Sequence, residues 1–252
     1  MRIALCFSGQ PRFIADAYPT INREIIQNRN VDVFAHLWFD EKLQSDPYKY
    51  GGNGEWVNQR IASNSIDQFI DLYNPVSIKV EPSRKFINQK LLDEYFPSIE
   101  RYKKGSINNP LEPDFTKRDI NNIISYYYSL NQVNILKKEY EYEKNFKYDV
   151  VIKLRTDVIV NSRIDFSNIA SNTIYYSEMG QPDGMVSDWL DYGDSKSMDV
   201  FMSPFSNLEL LIEDSINRTG GAWCCEMIHR MAMDRFGISP SPQYINLALP
   251  RF

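Results

Sequence analysis

A chain of 252 residues with 43% hydrophobic and 24% charged side chains can bury one substantial core, which excludes a disordered or fibrous protein. Its net charge of -5 argues against a nucleic-acid partner, because gripping a phosphate backbone takes a basic face. Cys6, Cys224 and Cys225 give no disulfide framework and no zinc spacing, the 2 histidines are too few for a His-based metal site, and no stretch approaches the roughly 20 apolar residues of a membrane span, so a reducing, cytoplasmic compartment is expected.

The first strand is predicted over Arg2 to Phe7, whose apolar run is too short for a signal-peptide core. It ends in Ser8-Gly9-Gln10-Pro11-Arg12, and a helical pattern follows through Tyr18, Ile21, Ile25 and Ile26. Strand, small loop and helix make the first half of a nucleotide-binding βα unit. Gly9 lets a ligand approach the backbone, Ser8 and Gln10 offer polar groups, and Arg12 offers a partner for phosphate. The loop is neither a dinucleotide fingerprint nor a Walker loop, so a tight turn that carries an arginine is the alternative.

Val31 to Phe39 is the second strand, apolar as a buried parallel strand should be. His36 and Trp38, two residues apart, share a face, and His36 is either a ligand contact or a satisfied core residue. Asp40 to Trp56, with Gly51, Gly52 and Gly54, is a polar loop long enough to be a flap. An amphipathic helix is expected over Ile61 to Tyr73, stopped by Asn74-Pro75, and a third strand over Val76 to Val80. Ser83 to Arg118 is polar, carries Pro97, Pro110 and Pro113, and reads as an excursion or lid.

The longest helical pattern runs from Ile120 to Tyr142, and its first turns place Ser125, Tyr128 and Ser129 toward a nucleotide cleft. It hands over to a β-branched run, Val150, Val151, Ile152 and Leu154, predicted to be the central strand. That strand runs straight into Arg155-Thr156-Asp157. In open α/β sheets ligands bind beyond the carboxyl ends of the strands, where an Asp can hold a divalent metal and an Arg can pair with phosphate oxygens. A surface salt bridge at a strand end is the bland alternative.

A short strand follows at Thr173 to Tyr176, and Gln181-Pro182-Asp183-Gly184 is a turn. Asp188 and Asp191 flank Trp189-Leu190, which suits a general base and a site for sugar hydroxyls, against the alternative of plain solvent exposure. A helix begins at Ser195 after the Gly193-Asp194 bend. Further helices are predicted over Leu208 to Ile216 and, past Gly220-Gly221, over Trp223 to Phe236 with Glu226, His229 and Arg230. Ile238 to Leu249 reads as a short irregular tail. The expected fold is α/β: one Rossmann-like α/β/α sandwich with a mostly parallel central sheet, residues 1-252 forming a single domain.

Ser8 to Arg12, Asp32 to Trp38, the Ser125 to Leu136 helix, Tyr148 to Asp157 and Asp188 to Met198, in that order, resemble nucleotide-sugar glycosyltransferases of the GT-A type. The pattern is similar to the WavE-like lipopolysaccharide-synthesis group and to relatives encoded by bacteria and large viruses. The resemblance implies transfer of a sugar from a nucleotide-sugar donor to a glycan hydroxyl acceptor in polysaccharide biosynthesis. It also implies an Asp-x-Asp motif closing the central strand, whose carboxylates hold Mn or Mg against the diphosphate. Here the triplet is Arg155-Thr156-Asp157, with Arg in place of the first acid, which puts metal dependence in question: Arg155 can itself neutralise a diphosphate while Asp157 keeps a metal or binds ribose.

Carried onto these residues, the donor site comprises Ser8, Gly9, Gln10, Arg12, His36, Ser125, Arg155 and Asp157, with Asp157 the metal ligand. Arg155 and Arg12 take the growing charge, Asp188 is the base with Asp191 in reserve, and Trp189 and Glu226 meet the acceptor. Two rivals use the same crevice: a noncatalytic nucleotide- or glycan-binding module, and a nucleotidyltransferase that attacks the α-phosphate.

Overall fold

The computed structural model describes residues 1–40, 61–84, 86, 120–178, 185–219 and 224–250. Nearly all of the flap expected over 40–56 and of the excursion over 83–118, together with the turn at 181–184, Gly220-Gly221 and Trp223, lie outside the described residues.

In chain order the elements are β1 (Arg2–Gly9), α1 (Ile14–Ile21) extended by a π turn (Asn22–Ile26), β2 (Asn30–Trp38), α2 (Ser65–Tyr73), β3 (Ser77–Glu81), α3 (Ile120–Glu143) and β4 (Val150–Leu154). They continue as β5 (Ile159–Val160), β6 (Thr173–Ser177), β7 (Leu190–Gly193), α4 (Ser195–Phe201), α5 (Leu208–Thr219), α6 (Cys225–Phe236), β8 (Ser239–Gln243) and β9 (Leu247–Ala248). Seven strands form one sheet in the order β3-β2-β1-β4-β7-β6-β8. All pairings among β3, β2, β1 and β4 are parallel, and β7 alone runs against its neighbours. The expected Rossmann-like α/β/α sandwich with a mostly parallel sheet is the fold observed.

The chain winds outward from β1 through β2 to β3, then returns to the other side of β1 as β4. The order therefore reverses between β1 and β4, and such a switch point opens a crevice because the two flanking connections leave on opposite faces. Alternation along the strands sorts the side chains accordingly. Ala4 and Cys6 of β1 and Val151 of β4 pack under α3, α4 and α6, while Ile3, Leu5, Phe7, Ile152 and Leu154 pack against α1 and α2.

Far from that crevice, α3 is anchored by a buried polar knot. Lys137 Nζ donates to Glu141 at 3.2 Å, Ser195 Oγ at 2.9 Å and Asp199 at 2.6 Å, while Ser195 Oγ and the Tyr148 N–H both donate to Glu141. Every member is satisfied, so the knot fixes α3 against α4 and the start of β4 without leaving a bare charge. Asp194 caps α4, its carboxylate accepting from the Ser197 N–H at 2.8 Å. Asn74 closes α2 in the left-handed region, at φ 43°.

Two expectations need correction. The segment from Ile238 onward is not an irregular tail: Ser239–Gln243 pairs in parallel with β6 as an edge strand, and Leu247–Ala248 pairs with β5. Pro240 and Pro242 argue against a central strand but suit an edge, where the missing N–H costs no ladder bond and blunts edge-to-edge association. The second helix begins at Ser65 rather than Ile61.

Candidate functional site

The carboxyl ends of β1 and β4 lie side by side, with Phe7 opposite Leu154 in register. The next residues on each strand are the Ser8 to Arg12 loop and the Arg155-Thr156-Asp157 triplet. They interlock through Thr156, whose hydroxyl donates to the Gln10 carbonyl at 2.7 Å and accepts from the Arg12 N–H at 3.3 Å. Gly9 sits at φ 111°, a conformation that excludes most side chains on backbone grounds, since an added Cβ would meet nothing within 4 Å.

This interlock brings two guanidinium groups onto one carboxylate. Arg155 grips Asp157 bidentately, Nε to Oδ1 and an Nη to Oδ2, both at 2.9 Å. Arg12 reaches Oδ2 from the other strand at 3.2 Å. Burial alone would raise the Asp157 carboxyl, but the charges of Arg12 and Arg155 outweigh it and hold the group at about 2. The second Nη of Arg155 lies 3.5 Å from Asp188 Oδ2, so the arginine also links the triplet to the segment leading into β7.

Because β7 is antiparallel to β4, its first residues arrive at the same sheet end. Arg155 N–H donates to the Trp189 carbonyl at 3.1 Å, extending the ladder past Leu154. Trp189 is half-buried with its ring centroid 5.9 Å from the Arg155 guanidinium. Asp191 lies directly across from Lys153 in register, and their side chains pair at 3.0 Å with no exposure of either. Lys153 also donates to the Asp188 backbone carbonyl and sits over the Tyr126 ring at 5.4 Å. Burial pushes the Asp191 carboxyl up, against the opposing pull of Lys153. Asp191 is therefore a support beneath Asp188, one layer below the crevice.

His36 is likewise fully buried. Its Nδ1 meets Ser129 Oγ at 2.8 Å, its Nε2 meets Glu81 at 2.8 Å, and Ser129 Oγ accepts the Gly9 N–H at 2.9 Å. Burial lowers the His36 pKa against the opposing pull of Glu81, and the Ser129 hydroxyl also donates to the His36 backbone carbonyl at 3.2 Å. His36 thus reaches the β1 loop through Ser129. Ser125, one turn earlier on α3, is half-buried. Glu226 is buried in the first turn of α6, which is tied to the Asp188 segment by the Val186 N–H donating to the Glu226 carbonyl at 3.2 Å.

The structure thus unites Ser8, Gly9, Gln10, Arg12, Arg155, Asp157 and Asp188 at one sheet end, with His36 and Asp191 supporting from within. Among the described residues the buried atoms without a hydrogen-bond partner include Ser8 Oγ, Gln10 Oε1 and Trp38 Nε1 near this sheet end, Asp191 Oδ1 beneath it, and Tyr73 Oη, Asn134 Oδ1 and His229 Nδ1 elsewhere. Such atoms are destabilising unless something meets them.

Thr156, Lys153, Glu81 and Tyr126 were not evident as site residues from sequence. A lysine inside an otherwise apolar strand was the available signal for Lys153. Both Asp157 oxygens carry guanidinium N–H groups, Arg155 on each and Arg12 on Oδ2.

No protein-family model matches the chain, and no curated protein matches it in sequence. Among solved structures, the apo form of mouse xyloside xylosyltransferase 1 aligns with 96% of this chain and 84% of that chain, at 10% sequence identity and a TM-score of 0.45. That similarity is too slight to carry a residue role or a reaction across. No helix among the described residues is long and apolar enough to cross a membrane.

Proposed function

We propose that the protein is a glycosyltransferase that moves a sugar from a nucleoside-diphosphate donor to a hydroxyl acceptor on a glycan. The observation that carries this reading is the sharing of Asp157 by Arg12 and Arg155 at the switch point between β1 and β4. Glycosyl transfer builds charge on a leaving diphosphate, and fixed cationic donors aimed at that charge are an effective way to lower the barrier. Asp157 acts as the counter-ion that holds both guanidinium planes in place before substrate arrives. The Ser8 to Arg12 loop receives the nucleotide, with Ser8, Gln10 and Trp38 supplying polar atoms.

Asp188 takes the acceptor proton. It has 17% of its side chain exposed and lies 3.5 Å from Arg155. Lys153 fixes its backbone from below. Trp189 and Glu226, on either side of that segment, shape the acceptor side.

A thermal-shift screen of sugar nucleotides, followed by analysis of the released product, tests this. A ligand that binds the native state raises the melting temperature. Slow release of nucleoside diphosphate is expected. Pyrophosphate release identifies a nucleotidyltransferase instead, and binding without any turnover identifies a noncatalytic module.

A further inference from the structure

We infer that this site handles its diphosphate without a divalent cation, the two guanidinium groups of Arg12 and Arg155 standing where a metal would. This rests on the sugar-nucleotide reading above and deepens it. A divalent cation held against a diphosphate takes one or two carboxylates from the protein, with phosphate and water oxygens completing its shell, so the state of the carboxylates decides whether it has an anchor. Asp157 has both oxygens engaged, by Arg155 at 2.9 Å on each and by Arg12 at 3.2 Å on one. Asp191 pairs through Oδ2 with Lys153 at 3.0 Å, and its Oδ1 is buried without a hydrogen-bond partner in a side chain that has no exposure. Glu81 is engaged by His36 at 2.8 Å, by Lys79 at 3.5 Å and by Arg84. Asp188 lies 3.5 Å from Arg155.

Asp157, Asp188, Asp191 and Glu81 thus each have a resident cation within 4 Å. A divalent ion placed on Asp157 would sit between two guanidinium charges in a partly desolvated site, where their repulsion is poorly screened. Moving the arginines away would strip a buried carboxylate of the partners that keep it ionised. The arrangement is self-consistent without metal: Asp157 orients two planar donors, and planar donors match phosphate oxygens bidentately. Thr156 locks the two strand ends together, so the spacing of the guanidinium groups is set by the sheet and is present before any ligand binds.

Two titrations on the full chain test this, with UDP and GDP as probes. Calorimetric dissociation constants measured in excess EDTA and in excess MnCl2 are expected to agree within about threefold, and Arg155→Ala to weaken binding tenfold or more in both buffers. Affinity at least tenfold tighter with Mn overturns the inference, as does an Arg155→Ala variant that binds like the wild type. The second titration adds Mn to the protein alone and follows the free-ion EPR signal, which reports on the metal independently of any nucleotide. A saturable site that disappears in Asp157→Asn overturns the inference while leaving the transferase reading intact, and no such site supports it. If neither nucleotide binds in either buffer, the transferase reading fails and this inference falls with it.

Discussion

Arg12 and Asp157 meet at 3.2 Å across the seam between the loop after β1 and the end of β4. The contact exists because the strand order reverses at that seam, so two segments distant in sequence close the same crevice. Arg155 completes the cluster from within its own triplet and passes the contact on to Asp188.

The pH dependence of stability follows from Asp157. Its folded-state pKa of about 2 lies below the ordinary 3.8, so its contribution is fully present above the unfolded value and is lost as pH falls through the folded one. A depression of that size corresponds to about 2 kcal/mol. Urea unfolding of the wild type should lose about that much between roughly pH 4 and pH 2 beyond the loss seen in Asp157→Asn. Parallel pH profiles for the two proteins would contradict this.

Lys153 and Asp191 should behave as a coupled pair. Lys153→Met alone leaves a buried carboxylate without its partner and should cost about 3–5 kcal/mol in urea unfolding. Lys153→Met combined with Asp191→Leu should recover most of that loss, because apolar groups of similar size replace both charges. Additive losses in the double variant would show that the two side chains act separately.

Gly193 should not tolerate a side chain. An added Cβ would stand 2.7 Å from the Thr173 carbonyl oxygen of the neighbouring strand, which is backbone and cannot easily give way. Gly193→Ala should therefore lower stability by about 1–3 kcal/mol by thermal or urea denaturation. A neutral result would mean that the β6 and β7 seam has room for a methyl group.

Asp188→Asn should separate chemistry from binding. A general base contributes roughly a hundredfold or more to rate, while the nucleotide is held by groups on the other strands. Turnover should fall by about that factor with donor affinity within about threefold. Full activity in this variant would remove Asp188 from its role.

Much of this was legible before any coordinates. The β-branched run before Arg155 marked a central strand, because buried parallel strands have a compositional signature, and the polar loop after the first strand marked a βα unit. The pairing of Arg12 with Asp157 was not legible, since periodicity says nothing about which strands are adjacent. His36 was open between ligand contact and core; its partners Ser129 and Glu81 lie on α3 and β3, and only the sheet order brings them together. Asp191 was expected as a reserve base, and that β7 runs antiparallel and sets it opposite Lys153 was not legible in the sequence. The edge strand at Ser239–Gln243 was hidden by its prolines, which count against a strand everywhere except at an edge.

The most direct measurement is a crystal structure of the protein soaked with a nucleoside diphosphate. The account predicts phosphate oxygens within hydrogen-bonding distance of the Arg12 and Arg155 guanidinium groups, over the seam between β1 and β4. A diphosphate bound at the opposite end of the sheet, or at this end with neither arginine in contact, would contradict it.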